Sequence, residues 1–195
     1  MARLAVFAQK QGLTGLEFAH GIPGSLGGGV RMNAGAYGGE MCQVVESVTA
    51  WLPGQGICTL TAQEMEFSYR HSRFSVGDGV VLSAVFRLQK GDPEQIKVLM
   101  EDLIARRKAK QPLEYPSAGS TFKRPEGYFA GALIEQCGLK GFAVGGAQVS
   151  EKHAGFVINT GNASAADVLA VIDHVKKTVL ERFEVKMEPE VEIVP

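Results

Sequence analysis

The 195-residue sequence has little cysteine, no excess of charge of either sign and no long hydrophobic run. Its three cysteines lack CxxC or CxxxC spacing, so neither a disulfide scaffold nor a thiolate metal site is indicated. The four histidines are dispersed, which argues against a locally encoded zinc site. A net charge of −1 provides no cationic field for nucleic acid or anionic lipid. Without a signal peptide or an apolar run of ~20 residues, we expect a cytoplasmic protein with no membrane partner.

Hydrophobic periodicity predicts an α+β fold in two parts. The first part contains a helix from the start to Gly12, strands near 44–51, 56–61 and 79–89 that suit an antiparallel sheet, and a helix from Asp92 to about Lys110. On the third strand we expect one apolar face, and on the second helix a buried stripe. These sets are Val80, Leu82, Ala84, Phe86 and Leu88 for the strand, and Ile96, Leu99, Met100 and Leu103 for the helix.

Two prolines in residues 111–116 favour extended geometry and place a boundary there, giving parts 1–111 and 112–195. The second part is predicted to contain a helix near 127–137, a strand near 154–159 and a helix from Ser164 to about Phe183. Residues 185–193 alternate between apolar and polar side chains. This alternation predicts a final half-exposed strand, with Pro189 at an edge or a bulge.

Residues 21–39 form the strongest chemical signal, because they hold eight of the 24 glycines. Such density predicts a long loop rather than a helix or strand interior, and exposed backbone N–H groups can approach a diphosphate closely. The segment matches neither the P-loop nor the Rossmann template. From composition alone, a flexible loop and a cofactor loop both remain open.

Three further candidates also have ordinary explanations. Arg70 stands among aromatic residues and could present its guanidinium to a carboxylate, although by pattern alone an ordinary surface arginine is the commoner case. Residues 117–125 place serines beside Lys123 and Arg124, which suits either an anion pocket with a proton donor or a turn before a helix. Glu190 lies on the polar side of the predicted last strand, where solvation is the simpler explanation.

Six segments in a fixed order resemble the UDP-N-acetylenolpyruvoylglucosamine reductase (MurB) family, in its shorter second type, over essentially the whole chain. The segments are residues 15–28 (GLEFAHGIPGSLGG), 33–38 (NAGAYG), 69–72 (YRHS), 118–123 (AGSTFK), 145–150 (GGAQVS) and 188–191 (EPEV).

The resemblance implies FAD-dependent, NADPH-driven reduction of UDP-N-acetylglucosamine enolpyruvate in peptidoglycan precursor synthesis, and thereby a part in cell wall biogenesis, cell shape and cell division. Residues 1–111 would then complete an FAD-binding region, and 112–195 would form the substrate-binding lobe. The implied catalytic residues are Arg70, Ser120 and Glu190, with no metal. The implied FAD residues are Gly21, Ile22, Pro23, Gly24, Ser25, Gly28, Asn33, Gly35 and Ala36, and the implied substrate residues are Tyr69, Lys123, Arg124 and Gln148.

Within this resemblance, Ser120 returns a proton to the substrate, Ser117 does not, and Arg124 stands where asparagine is more usual. The family also begins with another FAD-binding lobe, which is not found ahead of the helix at Met1. We therefore expect a fragment that binds FAD weakly, turns over negligibly and is restored by that lobe in trans, unless self-association covers the exposed surface. The alternative is a flavin-free module that binds a UDP-sugar. A different FAD-linked oxidase is disfavoured by the Ser120 and Glu190 segments.

Overall fold

The computed structural model describes residues 1–193, and it divides the chain into two compact units, residues 1–107 and 108 onward. Val194 and Pro195, the end of the predicted second part, lie outside the described residues. Each unit has its own hydrophobic core, and every strand pair is antiparallel. The predicted α+β class is confirmed. None of the helices in the described range is long and apolar enough to cross a membrane.

The first unit contains two helices and a three-stranded sheet in the order β5–β4–β6, with two small strand pairs, β1–β7 and β2–β3. A third helix, α3, has its last turn in the second unit. The elements are α1 (Ala2–Lys10), β1 (Leu13–Thr14), α2 (Leu26–Arg31), β2 (Gly35–Ala36), β3 (Gly39–Glu40), β4 (Val45–Leu52), β5 (Gly56–Thr61), β6 (Val80–Phe86), β7 (Gln89–Lys90) and α3 (Pro93–Lys110).

The second unit packs two helices with a four-stranded sheet in the order β8–β11–β10–β9. Its elements are β8 (Ser117–Ser120), α4 (Ala130–Gln136), β9 (Ala143–Val144), β10 (Ala147–Val149), β11 (Phe156–Asn159) and α5 (Ala165–Phe183). The Ser164 hydroxyl accepts the Asp167 amide at the N-terminus of α5, and this helix buries Val171, Val175 and Val179. The predicted helix at Ser164–Phe183 is therefore confirmed.

The predicted loop at residues 21–39 is only partly a loop, because it contains α2 and the β2–β3 hairpin. Ser25 begins α2 by accepting the Gly28 amide at 3.1 Å. Glycine is a poor helix former, but here it lets neighbouring side chains come close. A Cβ on the buried Gly29 would lie 2.8 Å from the Met1 sulfur. Close packing thus stabilises a helix that composition argued against.

Three apolar predictions need correction. In β6, Val80 and Leu82 are 55% and 51% exposed, because a register shift opposite Thr49 and Ala50 breaks the strict alternation. In α3, Ile96 and Met100 are buried as predicted. Leu99 on the same helix is 45% exposed, so the buried stripe is narrower than expected.

The tail after α5 is not the predicted strand. Met187 is buried and packs in the second core, but Ile193 is 66% exposed. Among the described residues, the strand pairing of the tail consists of one isolated bridge between Phe122 and Pro189. The Lys123 amide donates to the Glu188 carbonyl at 2.9 Å, and the Glu190 amide donates to the Thr121 carbonyl at 2.8 Å. The tail therefore pairs with residues 121–123 through this short segment instead of forming a strand.

Candidate active site

The glycine-rich segment presents an open turn followed by the start of α2. Gly24 has φ of +119°, and a Cβ there would meet no atom within 4 Å. Only glycine adopts this backbone region readily, so the turn leaves its backbone accessible. The Leu26 and Gly27 amides lie in the first helical turn, where N–H groups have no intrahelical acceptor. Such amides suit an anionic group. This turn is preceded in the chain by Gly21, Ile22 and Pro23, and Gly21 packs against Arg107.

Asn33 stabilises the second half of the glycine-rich segment through side-chain hydrogen bonds. It is 1% exposed and has φ of +43°, a backbone region that asparagine tolerates better than most residues. Its amide Nδ2 donates to the Glu40 carboxylate at 2.9 Å and to the Ser68 carbonyl at 3.0 Å. Its Oδ1 accepts the Cys42 amide at 2.9 Å. The side chain therefore links the loop before β2 to the turn at residues 68–71.

Arg70 lies in that turn, next to the predicted flavin segment. The turn closes through reciprocal backbone bonds between Ser68 and His71, and Arg70 itself has φ of +53°. The half-buried guanidinium donates from Nη2 to the Gly35 carbonyl at 3.2 Å and lies 5.3 Å from the Tyr69 ring centroid. The structure thus brings Arg70, Tyr69, Asn33 and Gly35 together within the first unit, with Ala36 following in β2.

Ser72 holds the other side of the turn. It is fully buried, and its hydroxyl donates to the Arg31 carbonyl at 2.7 Å, at the end of α2. The same hydroxyl accepts the Phe74 amide at 3.3 Å. The turn that carries Arg70 is therefore attached both to α2 and, through Asn33, to the loop that follows it.

In the second unit, Ser120 ends β8 with an exposed side chain. Its hydroxyl donates a long hydrogen bond to the Phe122 carbonyl at 3.4 Å. The neighbouring Thr121 is 3% exposed, and its hydroxyl accepts the Val157 amide at 3.0 Å. Ser120 is thus an accessible hydroxyl on a firmly held backbone.

The tail brings Glu190 beside the same backbone. Its amide bonds to Thr121, and its side chain is half-buried rather than fully solvated, which corrects the simpler expectation from the sequence. Lys123 is also half-buried and lies 3.6 Å from the Glu188 carboxylate. Ser120, Lys123 and Glu190 therefore cluster around the Thr121–Lys123 backbone.

The remaining two substrate candidates have other contacts. The Arg124 guanidinium lies 4.6 Å from the ring centroid of Phe129, an exposed cation–π pair. Gln148 in β10 donates from Nε2 to the Gly141 carbonyl at 3.1 Å. Among the described residues, no group of three or more His, Cys, Asp or Glu side chains could hold a metal ion.

The sequence did not indicate Glu40 or Arg107 as neighbours of the candidate residues. Glu40 accepts from Asn33 and raises the pKa of the Cys42 thiol, after the larger effect of burial. Arg107 lies 5.9 Å from the Tyr37 ring centroid, and burial lowers the pKa of its guanidinium. The half-buried cation in α3 could not be distinguished in sequence from the solvated basic residues around it.

Comparison with known proteins places this geometry in one family. Residues 111–194 match the model of the UDP-N-acetylenolpyruvoylglucosamine reductase C-terminal domain. The chain is 59% identical over 194 residues to the UDP-N-acetylenolpyruvoylglucosamine reductase of Clostridium novyi, covering 100% of this chain and 63% of that protein. It is 55% identical to that of Caldanaerobacter subterraneus, covering 100% and 64%.

A solved structure agrees with these relatives. The crystal structure of UDP-N-acetylenolpyruvylglucosamine reductase from Thermus caldophilus superposes with a TM-score of 0.87 at 37% identity, covering 99% of this chain and 69% of that one. The chain spans a little under two thirds of the length of the sequence relatives named above. Sequence and fold agree, and the chain belongs to the UDP-N-acetylenolpyruvoylglucosamine reductase family.

Proposed function

We propose that this chain contributes to FAD-dependent, NADPH-driven reduction of UDP-N-acetylglucosamine enolpyruvate to UDP-N-acetylmuramate. The observation that carries the proposal is the hydrogen bond from Arg70 Nη2 to the Gly35 carbonyl, at 3.2 Å. It holds a cation beside the segment proposed to face the flavin. Family membership supports the same assignment, and a cytoplasmic location belongs to the proposal because it uses NADPH.

The glycine-rich segment fits the phosphate part of FAD. The open turn at Gly24 and the first-turn amides of α2 offer N–H donors without a side chain over them. We assign Gly21 through Ser25 and Gly28 to this part of the cofactor, and Asn33, Gly35 and Ala36 to the flavin. Bound FAD, reduced by NADPH, would supply the hydride for the enolpyruvyl double bond.

Arg70 is proposed to stabilise the charge that this reduction creates. Negative charge develops beside the carboxylate of the enolpyruvyl group, and a fixed guanidinium is a preorganised partner for it. The bond from Arg70 to the Gly35 carbonyl holds the guanidinium before substrate arrives. Tyr69, whose ring packs on this guanidinium, is assigned to the substrate.

Ser120 is proposed to return a proton to the carbon next to the carboxylate. A hydroxyl is a weak acid, but the carbanion formed by reduction is strongly basic, and a nearby cation favours the transfer. Lys123, three residues away and half-buried, is such a cation. Glu190 is assigned as a second acid that hydrogen-bonds the substrate carboxylate, and Arg124 and Gln148 as groups that hold the substrate.

Three variants test these roles, and two have matched controls. Arg70→Lys keeps the charge but loses the planar fork, and we expect kcat to fall by about 10²–10³-fold. Arg73→Lys is its control, because Arg73 lies in the same segment and donates to the Glu64 carbonyl. Ser120→Ala should lower kcat by about 10²–10⁴-fold, while Ser117→Ala on the same strand should not. Glu190→Gln tests the second acid.

The first measurement is the visible absorption spectrum of the chain after incubation with FAD and desalting. Retained flavin with NADPH oxidation that depends on the enolpyruvyl substrate, and that is lost in Arg70→Lys and Ser120→Ala, supports the proposal. Activity that survives in both variants would overturn the assigned roles. Retained flavin with no substrate-dependent oxidation, even after the family's first FAD-binding lobe is added in trans, would overturn the proposed activity.

The alternative is a flavin-free module that binds a UDP-sugar. It is favoured by the separate compact second unit, which contains Ser120, Lys123, Gln148 and Glu190. Calorimetric titration with UDP-N-acetylglucosamine enolpyruvate distinguishes the two. Binding by a colourless protein, weakened by Lys123→Gln, supports the module. Binding that requires added FAD supports the reductase.

A further inference from the structure

The loop between β10 and β11 presents a histidine next to the proposed proton donor. The loop is closed by the Ser150 amide, which donates to the Phe156 carbonyl at 2.9 Å. The Ser150 hydroxyl, itself buried, accepts the amides of Lys152 and His153 at 3.2 and 3.3 Å. These bonds restrain the turn. They place the His153 ring near Ser120, at the end of β8.

The His153 ring is half-buried and accepts a hydrogen bond from a neighbouring amide. It meets the Phe156 ring edge-on, with 5.0 Å between centroids, and its Cε1 would lie 3.3 Å from a Cβ on Gly131. Its Nδ1 accepts the Gly155 amide at 3.1 Å. Because Nδ1 accepts, the proton of the neutral ring resides on Nε2.

Gly155 connects this histidine to the serine. While its N–H donates to His153, its carbonyl accepts the Thr121 amide at 2.8 Å. Gly155 does not have a positive φ, so its backbone conformation does not require glycine. A Cβ there would lie 3.0 Å from His153 Cε1, which is a tight contact, and 3.7 Å from Ser120 Oγ, which is an ordinary van der Waals contact. The imidazole and the Ser120 hydroxyl therefore flank the same peptide.

The surroundings favour the neutral ring. Burial lowers the pKa of His153, and a hydrogen bond to its own backbone acts in the opposite direction. The charges of Lys140 and Lys110 lower the pKa further, and the Glu135 charge raises it, with a net lowering. Glu135 is itself paired with Lys140 at 2.6 Å. At neutral pH, Nδ1 is thus available as an acceptor. A proton on Nδ1 would remove that acceptor and leave the Gly155 amide facing an N–H group.

We propose that His153 is a positioning residue, whose neutral Nδ1 holds the Gly155 peptide and thereby fixes the backbone and hydroxyl of Ser120. The proposal rests on the role assigned to Ser120 under the proposed function. His153 acts through Gly155 and Thr121. Acidification that protonates His153 would then weaken the restraint on the Ser120 hydroxyl, the proposed proton donor.

Two substitutions separate this role from simple packing. In His153→Asn, the side-chain oxygen can replace Nδ1 as an acceptor that does not titrate. His153→Phe keeps an aromatic ring but removes the acceptor. His174→Asn is the control, because His174 lies in the same unit and stacks on Phe142.

The first readout is independent of catalysis. In ¹H–¹⁵N spectra of the whole chain, we expect the amides of Gly155, Ser120 and Thr121 to titrate together, with a midpoint below the ordinary histidine value of about 6.5. His153→Asn should abolish this titration and keep the amide chemical shifts at their neutral-pH values. His174→Asn should preserve the titration. His153→Phe should change the chemical shift of the Thr121 amide at neutral pH. Titration that persists in His153→Asn, or Ser120 and Thr121 amides that never titrate in the wild type, would overturn the proposal.

The second readout is the pH profile of kcat for the FAD-loaded chain. His153→Phe should lower kcat by about 10- to 100-fold with little change in KM, since a small displacement of the donor affects the reaction more than binding. His153→Asn should restore kcat and remove the acidic limb. A flat Ser120 amide titration overturns the positioning role even if the enzyme is active. A normal titration without turnover overturns only the proposed function.

Discussion

The Asn33 side chain donates to the Ser68 carbonyl at 3.0 Å, which joins two segments 35 residues apart in the sequence. One is the end of the glycine-rich segment, and the other is the turn that carries Arg70. Because the same amide also bonds Glu40 and the Cys42 backbone, Asn33 uses both donors and its acceptor at once. The position of Arg70 therefore depends on the buried Asn33 side chain, which holds the turn that carries it.

Removing this side chain should destabilise the first unit. In Asn33→Ala, the Cys42 N–H loses its partner and the Ser68 carbonyl keeps only the His71 amide. Both lost bonds are part-buried, and a group left unsatisfied away from water costs about 1–3 kcal/mol. We expect the free energy of unfolding to fall by about 2–3 kcal/mol. Trp51, the single tryptophan, lies in β4 of this unit, so urea unfolding followed by its fluorescence measures the change.

Gln43→Ala is the matched control for that measurement. Gln43 is also an amide in the same region, with bonds to the Glu40 backbone and the Gly38 carbonyl, but both bonds are exposed. Water can replace such bonds, so the cost should stay within about 0.5 kcal/mol. Equal losses in the two variants would contradict the role assigned to the buried amide.

Gly35 should not tolerate even a methyl group. A Cβ there would lie 2.7 Å from the Gly39 carbonyl oxygen, across the β2–β3 hairpin. Overpacking of this kind costs about 1–3 kcal/mol. We expect Gly35→Ala to destabilise the unit by that amount and to displace the carbonyl that accepts Arg70. Gly77→Ala, whose Cβ would lie 3.7 Å from the nearest atom, should be close to neutral in the same Trp51 assay.

The helix α5 could be predicted from sequence because its signals are local. Ser164 and Asp167 mark its start, and apolar residues repeat at helical spacing. Strand faces depend on pairing with distant residues, so the register shift that exposes Leu82 could not be seen in β6 alone. The tail shows the opposite error. Its alternation satisfies the strand pattern, but only Pro189 finds a bridging partner among the residues that the structure describes.

The candidate site was accessible to sequence reasoning only through family resemblance. Arg70 and Ser120 carry no local pattern that separates them from surface residues. What the structure adds is their support, such as Asn33 beneath the Arg70 turn and Gly155 beside Ser120. These contacts join residues about 35 positions apart, beyond the reach of periodicity and spacing.

The Cys42 thiol should become more reactive when Glu40 loses its charge. Burial raises the pKa of this thiol, and the Glu40 carboxylate, 3.6 Å away, raises it further, while Asn33 lowers it. In Glu40→Gln the pKa should fall toward its ordinary value. At fixed pH, alkylation by iodoacetamide should then be faster, because the thiolate is the nucleophile.

Peptide mass spectrometry can assign that alkylation to Cys42 separately from Cys58 and Cys137. Glu46→Gln is the control, since Glu46 pairs with Arg87 at 2.9 Å and is not a cause of the Cys42 shift. Unchanged or slower alkylation in Glu40→Gln would contradict the electrostatic explanation.

The start of α5 should contribute stability at neutral pH that is lost in acid. Hydrogen bonds from the Ser164 backbone and hydroxyl lower the pKa of Asp167, with a smaller contribution from the Gly146 amide. A carboxyl whose folded pKa is lowered stabilises the fold above its unfolded pKa of about 3.9, and this contribution is lost as pH falls through the folded value.

Ser164→Ala should raise the pKa of Asp167 partway, because the Ser164 backbone bond remains. Ser164→Thr should keep it low. Carbon-detected NMR titration of the carboxyl measures each value, and an identical pKa in wild type and Ser164→Ala would show that the hydroxyl plays no part.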